Sequence, residues 1–144
     1  MAYSKKRLRS PVVGVLMGSR SDEPVLKKSK LLELLRDFGF DVGVSVISSD
    51  RNPDELRSYC LDNRERLNVV IALAGGVPNL PITVKSWLPN LPVICVPVDH
   101  NPDFALASLT TPKDRPIIVA GYGVSGLQKA AYIARDLLQQ WDRK

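Results

Sequence analysis

The sequence predicts an α/β fold, a three-layer sandwich in which helices cover both faces of a five-stranded parallel sheet. Three observations carry this reading. Five short apolar runs, at residues 12–17, 42–47, 69–74, 93–98 and 117–120, punctuate the chain. They are nearly continuous in Val and Ile rather than alternating with polar residues, as strands buried on both faces of a parallel sheet are. The runs alternate with longer segments of helical character, and strand-helix alternation repeated five times builds a doubly wound sheet.

The elements follow in order. After the first run, Asp22 is placed to cap a helix whose first turn tolerates Pro24. Leu32, Leu35 and Phe38 fall on its inner side, and Gly39 ends it. After the second run, Asn52-Pro53-Asp54-Glu55 reads as a cap, a proline at the first helical position and two acids in the first turn. Leu56, Cys60 and Leu67 mark the buried stripe that follows. The last helix is the clearest, because Leu127, Ala130, Ala131, Ala134, Leu137, Leu138 and Trp141 recur at three- and four-residue steps. Its alanines imply close packing against the sheet or against a partner subunit. Right-handed crossovers in a sheet of this size favour the flavodoxin-like strand order 2-1-3-4-5.

With 144 residues, 44% of them hydrophobic and 24% charged, the chain matches one compact domain over residues 11–144, preceded by a basic, flexible tail over 1–10. No apolar run approaches the roughly 20 residues of a membrane span, and no hydrophobic signal core follows the charged N-terminus, so no membrane association is expected. Lys5, Lys6, Arg7 and Arg9 account for all but one unit of the formal net charge of +5. The body of the protein therefore carries no electrostatic case for nucleic acid. Cys60 and Cys95 sit inside hydrophobic stretches and read as reduced core residues of a cytoplasmic protein. With His100 the sole histidine and no CxxC pair, no metal site is expected.

In a sheet of this class ligands bind outside the carboxyl ends of the strands, near the point where strand order reverses. That rule selects the turns after the first three strands. The first is Gly18-Ser19-Arg20-Ser21-Asp22, in which glycine permits a tight turn and the serines and helix-start amides offer an anion site. Asp22 is suited to accept from sugar hydroxyls. The second is Ser48-Ser49-Asp50-Arg51-Asn52-Pro53, where Arg51 can bind a phosphate in a bidentate way. The third, Ala74-Gly75-Gly76-Val77-Pro78-Asn79-Leu80-Pro81, is a stiff turn whose backbone can lie flat against a ligand, with Asn79 its lone polar side chain. Each turn taken singly is equally a capped loop, with Arg51 in solvent or paired to Asp54 and Asn79 capping the next helix. Taken together, and without a nicotinamide fingerprint or Walker loop, they point to a phosphorylated small molecule such as a ribonucleotide.

The combination resembles a known family. Val15-Leu16-Met17-Gly18-Ser19-Arg20-Ser21-Asp22, then residues 48–54, then Ala74-Gly75-Gly76 with Asn79-Leu80-Pro81, then Val96-Pro97-Val98, is similar to the PurE family. Its members are the N5-carboxyaminoimidazole ribonucleotide mutases and aminoimidazole ribonucleotide carboxylases of purine biosynthesis. The likeness runs from about position 11 to about position 138, and the GS-x-SD loop is its most specific element.

The resemblance implies an enzyme that moves a carboxylate onto an aminoimidazole ribonucleotide or a close analogue, with CO2 or bicarbonate as co-substrate or intermediate, and with no metal, flavin or nicotinamide cofactor. It implies substrate contacts at Gly18, Ser19, Ser21, Asp22, Ser48, Arg51, Gly75, Gly76 and Leu80. The family's second loop usually reads Ser-Ala-His-Arg-Thr-Pro-Asp, so Asp50 stands where the catalytic histidine is expected. In the bacterial mutase pattern the third loop carries a histidine near the place of Asn79, and an asparagine is familiar there from the animal-type carboxylases. Asp50 and Asn79 are thus the catalytic candidates, with His100, after the fourth strand, a further one. An ordinary carboxylate is a weaker base than imidazole, so a ribonucleotide-binding homologue without turnover is the alternative. The family is usually octameric with active sites between subunits, and a Leu/Trp stripe on the last helix would serve self-association.

Overall fold

The computed structural model describes residues 10–139. Lys5, Lys6, Arg7 and Arg9 of the basic tail, and Trp141 of the last helical stripe, lie outside the described residues. Five strands, β1 (Val12–Met17), β2 (Asp41–Val46), β3 (Val69–Ala74), β4 (Val93–Pro97) and β5 (Ile118–Val119), form one sheet in the order β2-β1-β3-β4-β5. Every pairing is parallel, with Val13 of β1 held between Val42 and Val69. This is the flavodoxin-like arrangement anticipated from the spacing of the apolar runs.

Successive residues of a strand point to opposite faces, and the two cores follow that alternation. One face gathers Val13, Val15 and Met17 of β1 with Val69, Ile71 and Leu73 of β3; the other gathers Leu16 with Val70 and Ala72. Only the inner strands satisfy the expectation of burial on both faces: β3 and β4 are buried throughout. At the sheet edges that expectation fails. β2 is half-exposed, with Val44 40% accessible, and β5 pairs through two residues only. An edge strand lacks a neighbour on one side, and its apolar residues reflect strand propensity as much as burial.

Among the described residues five helices lie between strands, α1 (Glu23–Ser29), α2 (Leu31–Asp37), α3 (Pro53–Asn63), α4 (Asn79–Trp87) and α5 (Asp103–Ala107), and a sixth, α6 (Gly123–Gln139), follows β5. The single helix expected after β1 is two, broken at Lys30, which adopts a left-handed conformation at φ 58° and ψ 29°. The buried Ser29 hydroxyl explains the break. It donates to the Leu26 carbonyl at 2.6 Å and accepts from the Leu31 amide at 3.1 Å, so a side chain takes over bonds the helix would otherwise supply. Leu31 and Leu35 of α2 are fully buried, Leu32 and Phe38 pack at the margin, and the chain turns away at Gly39, whose φ is 94°. In α3, Pro53 opens the helix and Leu56 and Cys60 face the core; Asn52 occupies the cap position without a side-chain bond.

Helix α6 carries Leu127, Ala130, Ala131, Ala134 and Leu138 into the same core as β1 and β3, packed against α1, α2 and β4. The small side chains bring the helix close to the sheet. The described part of this stripe is therefore covered within the chain, which corrects the expectation that it is an exposed face for a partner. Its entry is tighter still, because a Cβ at Gly126 would lie 2.5 Å from the carbonyl carbon of Gly121. No helix among the described residues is long and apolar enough to cross a membrane.

Candidate functional site

Strands β1, β2 and β3 are neighbours, so their carboxyl-end turns share one rim of the sheet. In the first turn Ser19 is extended, and its Oγ accepts from the Ser21 amide at 3.2 Å and from the Ser21 hydroxyl at 2.9 Å. A short 3-10 turn, Arg20–Asp22, then feeds α1. Asp22 stands at the start of α1 but makes no side-chain cap, contrary to the expected capping role. Its carboxylate lies instead against the third turn: a Cβ on Gly75 would sit 3.4 Å from Asp22 Oδ1. The first and third turns therefore lie side by side at this point.

In the second turn Ser48 Oγ accepts from the Arg51 amide at 3.1 Å, and the Asn52 amide bonds the Ser48 carbonyl at 2.9 Å. The turn thus projects Arg51 back toward the first, where its guanidinium donates to the Gly18 carbonyl at 2.9 Å. In the third turn Gly76, at φ 116°, takes a conformation reserved for glycine, and α4 begins at Asn79. Asn79 Nδ2 reaches the Asp50 carboxylate of the second turn at 3.5 Å. Hydrogen bonds thus join the second turn to the other two, Arg51 to Gly18 and Asn79 to Asp50, and Asp22 of the first turn lies beside Gly75 of the third.

The three turns enclose a cavity of about 340 Å³, the size of a small-ligand pocket. Of the residues singled out from the sequence, Gly18, Ser19, Ser21, Asp22, Ser48, Asp50, Arg51, Gly75, Asn79 and Leu80 line it. Gly76 is buried behind the wall and shapes the turn. His100 follows β4 on the same edge of the sheet, yet it is exposed and does not line the cavity. The lining also includes Ser49, Ala74 and Val77, which belong to the turns read from the sequence without being named as substrate contacts, and Leu73, which lies outside them. Leu73 and Ala74 are the end of β3 and supply an apolar floor, a role that strand burial alone does not reveal.

The electrostatics are uneven. Arg51 is the one cation among the described residues lining the cavity, against the carboxylates Asp22 and Asp50. Burial, and secondarily the neighbouring Asp99 carboxylate, raises the Asp22 pKa above its usual 3.8. Asp99 follows β4, in the turn where Tyr122 donates its hydroxyl to the Asp99 carbonyl. A desolvated carboxylate of this kind is an acceptor that gains from hydroxyl donors, such as those of a sugar. The position of Asp99 at a strand's carboxyl end was the signal that could have drawn attention to it.

Comparison with known proteins agrees with the architecture and goes further. The family model described as AIR carboxylase matches residues 12–144. The N5-carboxyaminoimidazole ribonucleotide mutase of Pyrococcus abyssi is 40% identical over 131 residues, spanning 89% of this chain and 74% of that protein. The mutase of Thermotoga maritima is 37% identical over 131 residues, spanning 89% and 75%. The phosphoribosylaminoimidazole carboxylase of Saccharomyces cerevisiae is 36% identical over 135 residues, which are 92% of this chain and 23% of that longer protein. Among solved structures, a PurE2 variant from Treponema denticola superposes with a TM-score of 0.81 at 20% identity, covering 94% of this chain and 84% of that one. The family match spans the whole sheet and all three turns, the two mutases are similar over 89% of the chain, and on that basis the chain belongs to the AIR carboxylase, or PurE, family.

Proposed function

We propose that the protein binds an aminoimidazole ribonucleotide or close analogue in this cavity and catalyses carboxyl transfer on it, with the phosphate held by Ser19, Ser21, Ser48 and Arg51. The observation that carries the reading is the Arg51–Gly18 bond, at 2.9 Å. It brings the cavity's cation onto the first turn, beside the serine hydroxyls and the helix-start amides, where a phosphate gains from all of them. Asp22 takes the ribose hydroxyls. The heterocycle then points to Asp50, Asn79 and Leu80, which also line the cavity.

Adding CO2 to the nucleophilic ring carbon forms one C–C bond and releases the proton of that carbon, so a base must stand beside it. Asp50 is that base in this proposal, positioned by the amide of Asn79, and the apolar floor of Leu73 and Ala74 excludes water from the reacting end. His100 is given no role within one subunit. The protein acts as a homo-oligomer, octameric as the family resemblance implies. Leu106 in α5 and Leu109 just after it, 63% and 67% exposed, are apolar surface suited to a second copy. Its compartment is the cytoplasm, where Cys60 and Cys95 stay free thiols.

A second reading is favoured by the same Asp50–Asn79 contact: with a carboxylate in place of an imidazole, the pocket binds the ribonucleotide without turnover. Purified protein mixed with aminoimidazole ribonucleotide and bicarbonate, or with the N5-carboxylated isomer, separates the two. The first reading expects the C4-carboxylated product, and its loss in Asp50→Asn. Thermal stabilisation by the nucleotide with no product supports the second.

A further inference from the structure

The charge inventory of the cavity deepens the proposed function, on which this inference rests. A ribonucleotide phosphate consumes Arg51, the one cation among the described lining residues. No other described side chain of this subunit that lines the cavity is positive. Beside Asn79 stands Asp50, whose Oδ1 has only the long 3.5 Å contact from the Asn79 amide. An ionised carboxylate offers acceptors alone, so its complement is a donor such as an exocyclic amine, and another carboxylate is its worst neighbour. Arg51 cannot serve both ends, because its guanidinium is turned to Gly18 in the first turn. Asn79 directs one of its two amide N–H donors at Asp50.

We infer that Asp50 is a specificity-determining residue that selects the uncarboxylated amino-heterocycle ribonucleotide over its carboxylated counterpart. The site then holds the amine form as its resident ligand and releases the carboxylated form readily. Asp22 does not produce the same discrimination, since it lies on the ribose side against Gly75.

The test is isothermal titration of the full chain with aminoimidazole ribonucleotide, with the 4-carboxylated ribonucleotide and with ribose 5-phosphate, for wild type, Asp50→Asn and Arg51→Ala. The wild type is expected to prefer the uncarboxylated nucleotide by about tenfold or more, the scale of a like-charge juxtaposition. In Asp50→Asn that ratio should fall to about threefold or less, through tighter binding of the carboxylated form. Equal or tighter binding of the carboxylated nucleotide to wild type overturns the inference, as does a ratio unchanged in Asp50→Asn. If ribose 5-phosphate binds wild type and is lost in Arg51→Ala while Asp50→Asn leaves the ratio unmoved, the phosphate reading stands and the Asp50 inference falls alone. If no phosphorylated ligand binds, the proposed function falls and takes the inference with it.

Discussion

Replacing Arg51 with alanine separates what the residue does for the fold from what it does for a ligand. Its side chain is exposed and makes one recorded bond, to the Gly18 carbonyl at 2.9 Å. A single exposed hydrogen bond contributes about 1 kcal/mol or less to stability. For a chain of this size the melting temperature should therefore fall by roughly 4 °C at most. The ligand loses far more. A guanidinium on a phosphate makes charge-assisted bonds worth about 1.5–3 kcal/mol each, and water replaces part of that. A net loss near 3 kcal/mol corresponds to about 150-fold in Kd. Calorimetric titration with aminoimidazole ribonucleotide reads the affinity and a thermal melt without ligand reads the stability. Arg51→Lys should recover part of the affinity, since a point charge remains without the bidentate fork. The reasoning is refuted if Arg51→Ala binds within threefold of wild type, or if the melt falls so far that the loss of binding follows from unfolding.

Other outcomes follow from the same geometry. Gly126→Ala places a Cβ 2.5 Å from the Gly121 carbonyl carbon and 2.8 Å from its oxygen; since the obstacle is backbone, the expected cost is about 3 kcal/mol or more, read by urea denaturation, and a loss under about 0.5 kcal/mol contradicts the packing of α6. The raised Asp22 pKa means that the folded state keeps this proton to higher pH than the unfolded chain does, so the ionised group costs stability as pH rises above the usual 3.8. Asp22→Asn should thus melt higher than wild type at pH 7 and converge with it near pH 3.8 while losing nucleotide affinity; a lower melt at pH 7 would contradict the burial argument. Burial pushes the thiols of Cys60 and Cys95 up to about 11. Native protein at pH 8 should resist alkylation at both until it is unfolded, and rapid native labelling of either would contradict the core described here.

The strand order and the rim that carries the cavity were legible in the sequence because a parallel sheet writes itself in short runs rich in Val and Ile. The alternation of those runs with helices then leaves few topologies. Edge position was missed: Val42-Gly43-Val44-Ser45-Val46 alternates Val with Gly and Ser where 69–74 is apolar throughout, and β2 is half-exposed while β3 is not. The break at Lys30 was not legible, since no Gly or Pro interrupts the periodicity there and the cause is a single buried hydroxyl, Ser29. The short α5 escaped because five residues give helical spacing no room to show. In the site, the glycines and serines betray the turns locally, but the joining contacts do not. Arg51 and Gly18 are 33 positions apart and Asn79 and Asp50 are 29 apart, so only the fold makes them neighbours. His100 illustrates the converse, a residue with suitable chemistry at the right edge of the sheet whose side chain faces solvent rather than the cavity.

A crystal structure of the protein with aminoimidazole ribonucleotide bound addresses the shared anion site directly. The phosphate should lie within about 3 Å of the Arg51 guanidinium and of donors from both the first and second turns, with the ribose hydroxyls on Asp22. A nucleotide whose phosphate sits elsewhere on the surface, with Arg51 still turned only to Gly18, would contradict the account.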